Sequence, residues 1–486
     1  MISAIGSVVA KAFRHTCPDP YVIVILLTAV TVALGVAMGF PNAPAEMGAG
    51  DKFVQLFDAW TGPKGLWFFL PFSMQMALIL VTGHALASTR PVQRMVDGLA
   101  GLPKSARSAA GLVGATAVLT GIIHWGLSLI VGALLARETA RSLHERGIKA
   151  HYPLLAAAGY TGLLVFHGGM SGSAPLSVTT EANAAKVLSG EMVQRLNGGI
   201  GLERTLFSPM NLFITGGLLI IIPALLVLLT PRRDEEFQGI DQFEVKPKFD
   251  ATPLELARAT VPERLDQSRV VAWLLAIPMI AGALRGCYGM GMTAAGTGAG
   301  EMNIVSLTLL GARSIGLNEI NMLMFGAGML LHGNPRQYMA AAEEGASGCA
   351  GIVIQFPLYG GIMAMMSTAG LDKQIADWFA AQGSAATLPA MTFFSACIIG
   401  LFVASGGGQW GIQGPIALQT AFAKGIAPEK MVMAVAYGDE VPNMLQPFWA
   451  LPLLAITGVK ARDIVGYTTV VMLAAFGWIT LGLVIF

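Results

Sequence analysis

Apolar stretches of about 20 residues, the length of helix that crosses a bilayer's hydrocarbon layer, recur along the chain. They lie near residues 20–40, 66–88, 152–178, 206–230, 269–288, 317–333, 348–367, 431–455 and 464–486. This pattern predicts about nine transmembrane helices. Two further apolar stretches, 110–136 and 390–420, are broken in the middle by helix-poor or polar residues: His124–Gly126 in the first and Ser405–Trp410 in the second. Ahead of the first span, Ile2, Ile5, Val8, Val9 and Phe13 recur at helical spacing. That spacing predicts an interfacial helix within 1–19.

Charge decides how the two broken stretches are placed. Arg90, Arg94, Lys104 and Arg107 precede 110–136, and Arg137, Arg141, Arg146 and Lys149 follow it. Basic loops favour the cytoplasm, so both flanks are expected on the same side. The segment is then a re-entrant hairpin whose arms of about 10–14 residues reach the membrane midplane. Treating 390–420 the same way puts the N-terminus in the cytoplasm and the C-terminus outside.

Composition agrees with this reading. The chain is 54% hydrophobic and 12% charged, about half the charged share of a soluble domain, with a mean hydropathy of +0.63. The expectation is an all-α polytopic membrane protein. A formal charge of +1 offers no basic footprint for nucleic acid. Cys17, Cys287, Cys349 and Cys397 lack CxxC or Cys/His spacing, so neither a disulfide framework nor a zinc site is indicated. No charged region precedes the first apolar residues, and no removable signal peptide is read.

The halves resemble each other. Residues 70–89 match 350–369, with Gln75 beside Gln355 and Ser88–Thr89 beside Ser367–Thr368. Residues 156–176 match 433–453, placing Tyr160 over Tyr437 and Pro175 over Pro452 at one offset, 437 − 160 = 277. A span at 269–288 between the copies inverts the second relative to the first. The expected organisation is an interfacial segment (1–19), a first repeat (20–230), a cytoplasmic connector (231–268), a linking span (269–288) and a second repeat (289–486).

Irregular backbone at membrane depth is tolerated only where protein or a watery cavity covers it. Broken elements at matched places in inverted repeats point to a transporter's binding site. The two hairpin tips and two unwound stretches, 166–175 and 438–447, are therefore expected to meet. Half-helix N-termini there favour an anion, and half-helix C-termini a cation. Candidate substrate contacts are His124, Trp125, Gly126, Gly169, Ser171, Ser173, Ser405, Gly406, Gly407, Gly408, Gln409, Trp410, Asn443 and Gln446. The glycines 406–408 would form a backbone nest with positive φ. Trp125 and Trp410 occupy matching tip positions and would cap an aliphatic tail, simple packing being the competing account. Asp439 and His167 are the candidate coupling residues, since ionisable groups at this depth are functional by default. Glu440 is read as pointing elsewhere. No cofactor and no catalytic residue or resident metal is expected; Na+ or H+ is the expected coupling ion.

The stretches "PFSMQMALILVTGHALAS", "WGLSLIVGALLARE", "GGMSGSAPL", "SGGGQWGIQGP" and "NMLQPFWALP" resemble the short-chain fatty acid transporter (AtoE-like) family, over essentially the whole chain. The resemblance implies uptake of butyrate- and acetoacetate-class acids across a bacterial inner membrane. Kinship with the ion-transporter superfamily implies an elevator-type carrier, usually a homodimer surrounded by lipid. His124 and His167 depart from the family pattern, which has Asn-Trp-Gly at the first tip and Gly in place of His167. Rival readings are a membrane-embedded enzyme using His124, His167 and Asp439, a channel, and a dicarboxylate carrier. No HExxH-like spacing supports the first. The last would want two cationic contacts, and no Lys or Arg lies in either hairpin core or unwound stretch.

Overall fold

A computed structural model describes the chain except for residues 1, 43, 45, 186, 234–235, 246–259, 296–301, 313–315 and 447. Parts of the expected connector and of the expected second repeat, and the last residue of 438–447, therefore lie outside the described residues. Among the described residues the chain is helical, with no strand.

Among the described residues, seven helices are long and apolar enough to cross a membrane: Pro20–Met38, Leu70–Ala87, Ala106–Ile123, Pro209–Leu229, Arg269–Thr293, Ala350–Ala369 and Ala461–Ile485. All but one fall on expected spans. The exception, Ala106–Ile123, is the first arm of the first hairpin. It breaks at a single residue, His124, and returns as Trp125–Glu145. These arms, 18 and 21 residues, are longer than the sequence predicts because the return arm runs on into the Arg137–Glu138–Arg141 ion pairs. The second hairpin has a 13-residue arm, Leu388–Gly400, and a 19-residue arm, Gly406–Lys424.

Both segments close on themselves at the base. Arg146 Nη1 donates to the Gly101 carbonyl at 3.2 Å, and Lys424 Nζ to the Gly383 carbonyl at 2.5 Å. Each bond joins the residues just before one arm to the end of the other. Entry and exit of each hairpin therefore lie at one end.

The remaining expected spans are short or broken. Leu317–His332 is a continuous helix of 16 residues. Tyr152–Tyr160 and Pro428–Glu440 each pass into a 3-10 turn, Thr161–Leu164 and Val441–Met444, and resume as Ser173–Ser177 and Leu451–Thr457. The breaks thus start at 161 and 441, an offset of 441 − 161 = 280. That is three more than the sequence match at 277. Asp439 is still helical, one residue before the helix ends, and at this offset Gly159 is its counterpart. Gly159 packs on Gly132 of the first hairpin, where a Cβ on either glycine would strike the other's backbone. Small residues let these broken helices press directly onto the hairpins.

The elements sort into two bodies. One contains Pro20–Met38, Ala49–Thr61, Leu70–Ala87, Arg269–Ala295, Leu317–His332, Pro335–Ala346 and Ala350–Ala369. The other contains both hairpins, both broken helices, Pro209–Leu229 and Ala461–Ile485. The N-terminal helix Ile2–Thr16 docks on this second body, with Ala10 against Gly466 and Arg14 paired to Asp463 at 3.2 Å. A described part of the connector is fastened there too. Gln238 N–H donates to His151 Nδ1 at 3.1 Å, its side chain bonds Arg14, and His151 Nε2 meets Tyr467 Oη at 2.8 Å. Burial, then the Arg14 charge, push the His151 imidazole down to about 3, so the clamp stays neutral at physiological pH.

Single cysteines at Arg94 and Glu145, in a background without native cysteines, are predicted to react with an impermeant maleimide from one face of the membrane, and one at Asp51 from the opposite face. Opposite-face labelling of Arg94 and Glu145 would make Ala106–Ile123 a true span and remove the first hairpin.

Candidate functional site

At the second tip, Ser405 is the N-cap of Gly406–Lys424, with extended backbone (φ −152°, ψ 111°). Its Oγ accepts the Gly408 N–H at 3.3 Å and its carbonyl the Gln409 N–H at 2.8 Å. Ser at this position is a favoured cap because its short hydroxyl reaches the third amide. The expected nest with positive φ is not formed. Gly406, Gly407 and Gly408 are the helix's first turn, and none has positive φ. What the glycines supply is room. A Cβ on Gly406 would sit 2.9 Å from the His167 ring and 3.0 Å from Asp439 Oδ2, whereas one on Gly407 would meet nothing within 4 Å. The Gly406 and Gly407 N–H groups carry no bond to the described residues.

The first tip is built from different residues. His124 is the N-cap, and its Nδ1 accepts the Gly126 N–H at 3.1 Å. The Trp125 N–H donates to Ser171 Oγ at 3.1 Å, and the Met170 N–H to the Ile122 carbonyl at 2.7 Å. Gly169 is pressed so close to Ile122 that a Cβ would strike its backbone. Both leading amides of this half-helix are thus already taken, and its dipole is spent on the protein itself.

Behind Gly406 lies a buried polar cluster. His167 is 0% exposed, Asp439 7% and Glu440 0%. Ser173 N–H donates to His167 Nδ1 at 3.2 Å, so the ring proton is on Nε2, which donates to Asp439 Oδ2 at 2.6 Å. The His167 backbone N–H donates to Glu440 Oε2 at 3.0 Å. Glu440 therefore joins the cluster instead of pointing elsewhere. Asn211 holds this loop from the side: Nδ2 donates to the carbonyls of Gly168 (2.9 Å) and Leu206 (2.7 Å), while Oδ1 accepts from Tyr437 and Thr215, each at 2.7 Å. A hydrogen-bonding residue near the start of the most hydropathic helix, Pro209–Leu229, was the sequence signal for Asn211.

The tips enclose a cavity of ≈ 360 Å3, at the low end of the roughly 300–1,000 Å3 of ligand sites. Of the sequence candidates, His124, Trp125, Ser171, Ser173, Ser405, Gly406 and Gly407 line it. Gly126, Gly169 and Gly408 lie in its supports. Gln409 turns inward and pins the hairpin arms, donating to the Ala396 carbonyl at 2.8 Å and Gln413 Oε1 at 2.9 Å. Trp410 does not match Trp125: a full turn into its helix and 1% exposed, it packs among Leu418, Val432 and Val435. Asn443 and Gln446 are also supports. The Asn443 carbonyl accepts from Tyr160 Oη at 2.8 Å, and Gln446 Nε2 donates to the Leu401 carbonyl at 3.0 Å.

Sequence reasoning missed the apolar wall. Trp449 stands edge-on to Trp125 (ring centroids 4.9 Å apart) and to Phe72 (5.8 Å), and Leu317 completes it. Phe72 and Leu317 come from the first body and the tips from the second, so the cavity lies between the two. Among the described residues no Lys or Arg lines it. Trp449 sits in the quoted stretch "NMLQPFWALP", but only the fold shows that it faces the tips.

The profile of a protein family described as Short chain fatty acid transporter matches residues 1–486. The chain belongs to the short-chain fatty acid transporter family. A relative from Escherichia coli (strain K12) bearing that transporter name is 36% identical over 100% of both chains, and one from Haemophilus influenzae (strain ATCC 51907 / DSM 11121 / KW20 / Rd) is 35% identical over 96% of both. The Alcanivorax borkumensis YdaH transporter, described as having an unusual topology, aligns over 96% of this chain and 97% of its own, at 16% identity and TM-score 0.38. Neisseria gonorrhoeae MtrF, described among antimetabolite efflux pumps, aligns over 98% and 96%, also at 16% and 0.38. By its family and these relatives, this short-chain fatty acid transporter family member is a transporter, not an enzyme.

The two leading glycines of the second tip should separate under mutation. Gly406→Ala is expected to destabilise the transporter by about 1–3 kcal/mol, because the His167 ring and Asp439 must shift. Gly407→Val should leave the thermal midpoint nearly unchanged and abolish ligand binding by filling the cavity. Equal thermal losses in the two variants would show that Gly407 does not face open space.

Proposed function

We propose that the chain is an ion-coupled secondary active carrier for short-chain carboxylates of the butyrate and acetoacetate class. It sits in the bacterial inner membrane with its N-terminus in the cytoplasm, works as a homodimer, and moves by elevator-type alternating access. The observation that carries the substrate reading is the pair of open amides, Gly406 and Gly407, at a helix N-terminus facing a cavity walled by Phe72, Trp125 and Trp449, with no Lys or Arg among its described lining residues. A helix N-terminus suits a single anionic group, and the aromatic wall suits a short alkyl or acyl tail. A dicarboxylate would leave its second charge without a cation, at the cost of burying it.

The position of the cavity between two bodies supports the elevator reading. Sliding the hairpin body past Phe72 and Leu317 would carry Gly406, and anything bound to it, from one face to the other. Asp439 and His167, one residue behind Gly406, are the coupling groups in this reading. A Cβ on Gly406 would sit 3.0 Å from Asp439 Oδ2, so binding at Gly406 and charge at Asp439 influence each other at short range.

Short fatty acids also cross lipid unaided as neutral acids, so the test is counterflow of labelled butyrate in proteoliposomes against protein-free vesicles. Saturable, protein-dependent counterflow is expected; a linear, conductive flux would indicate a channel. Asp439→Asn should lose concentrative uptake while keeping part of the exchange, and unchanged accumulation in that variant would remove Asp439 from coupling. Trp449→Ala should raise the uptake ratio of hexanoate to butyrate by about tenfold or more, since each methylene in an apolar pocket is worth about 1–3 kcal/mol. An unchanged ratio would separate Trp449 from the substrate tail.

A further inference from the structure

Asp439 and Glu440 are adjacent, both buried, and share one histidine that has a single ring proton to give. That proton goes to Asp439. Glu440 receives only the His167 backbone N–H on Oε2, and its Oε1 is buried with no hydrogen-bond partner. Among the described residues, the elements packed against Pro428–Glu440 supply no counter-charge at this depth. Leu388–Gly400 contributes Cys397, the first broken helix contributes Tyr160, and the helix itself contributes Tyr437. Ser173–Ser177 has no titratable group, and Ala461–Ile485 has Arg462, Asp463 and Tyr467 only at its start. Lys424 ends the far arm, bonded to the Gly383 carbonyl, and Lys430 lies ten residues before Glu440, about 15 Å along the helix.

Two carboxylates side by side without a cation cannot both remain ionised in such a place. With Asp439 stabilised by His167, the proton belongs on Glu440 Oε1. We propose that Asp439 and Glu440 form a two-carboxyl proton store, with one proton resident on Glu440 in the empty transporter and a second taken up at Asp439 when an anion binds at Gly406. The bound anion lies close enough to Asp439 to disfavour its charge. One carboxylate and one proton then travel together, no net charge is carried, and both leave on the other side. His167 is a positioning residue: its backbone holds Glu440, its ring holds Asp439, and Ser173 fixes its tautomer. The resident proton follows from the geometry alone, whereas the second rests on the short-chain carboxylate reading.

The two parts are tested separately. Infrared difference spectra of the reconstituted transporter without substrate, wild type minus Glu440→Gln, are expected to show the carbonyl stretch of a protonated carboxylic acid, shifted in D2O and unaffected by exchanging K+ for Na+. Absence of the band, or its loss on adding Na+, overturns the resident proton, the latter by assigning the site to a metal cation. Should the variant not fold, the D2O shift and the Na+ response of the wild type decide the same point. In the second arm, butyrate is titrated calorimetrically in buffers of different ionisation heat. Wild type should take up protons on binding, and Asp439→Asn should bind without doing so. Binding with no proton uptake in the wild type overturns the second proton. If the wild type keeps the infrared band and does not bind butyrate, the substrate reading fails and the resident proton stands.

Discussion

In hydrocarbon a backbone amide or carbonyl without a partner costs several kcal/mol, and this protein breaks its backbone at four places within the membrane. Everything near the site answers that cost. Ser405 and His124 cap the half-helices at the hairpin tips. Ser171 and the Ile122 carbonyl close the first tip against the 166–172 loop. Asn211 takes up the loose carbonyls of Gly168 and Leu206, and Tyr160 that of Asn443. At the second tip the amides of Gly406 and Gly407 stay open, with no bond among the described residues.

The inverted-repeat plan makes the tips equivalent in topology without making them equivalent in chemistry. His124 spends its ring on the amide two residues on, and Ser171 takes the one between, so the first tip has become structure. Ser405 reaches only the third amide and leaves two exposed. A substrate anion therefore meets one polar pole, with the aromatic faces of Trp125, Trp449 and Phe72 as the apolar surroundings. A small solute with one charged end fits such a polarised space better than one charged at both ends.

Hydropathy and basic loops made the spans and the hairpins legible, because membrane thickness and charge asymmetry are written directly into residue type. Seven of the fourteen candidate substrate contacts line the cavity, and they are the ones at or beside caps, where sequence signals are local. Trp410 and Gln409 were misplaced because a helix starting immediately after Ser405 carries them a turn inward, and the length of an irregular stretch is not encoded in the glycines themselves. Asp439 was assigned to unwound backbone, whereas the helix Pro428–Glu440 runs one residue past it before the break. Phe72, Leu317 and Trp449 could not be read at all, since what they face is set by how the two bodies meet. Asn211 could have been found, as a polar residue whose only justification in so apolar a helix is a partner.

The bonds at the hairpin bases, from Arg146 to Gly101 and from Lys424 to Gly383, bear on how the chain enters the bilayer during synthesis. Ala106–Ile123 is apolar enough to be accepted as an ordinary span, yet its end must not be left on the far side. A first arm released alone into the bilayer would leave its end on the far side, away from the partner that its base bond needs, and would reverse every later segment.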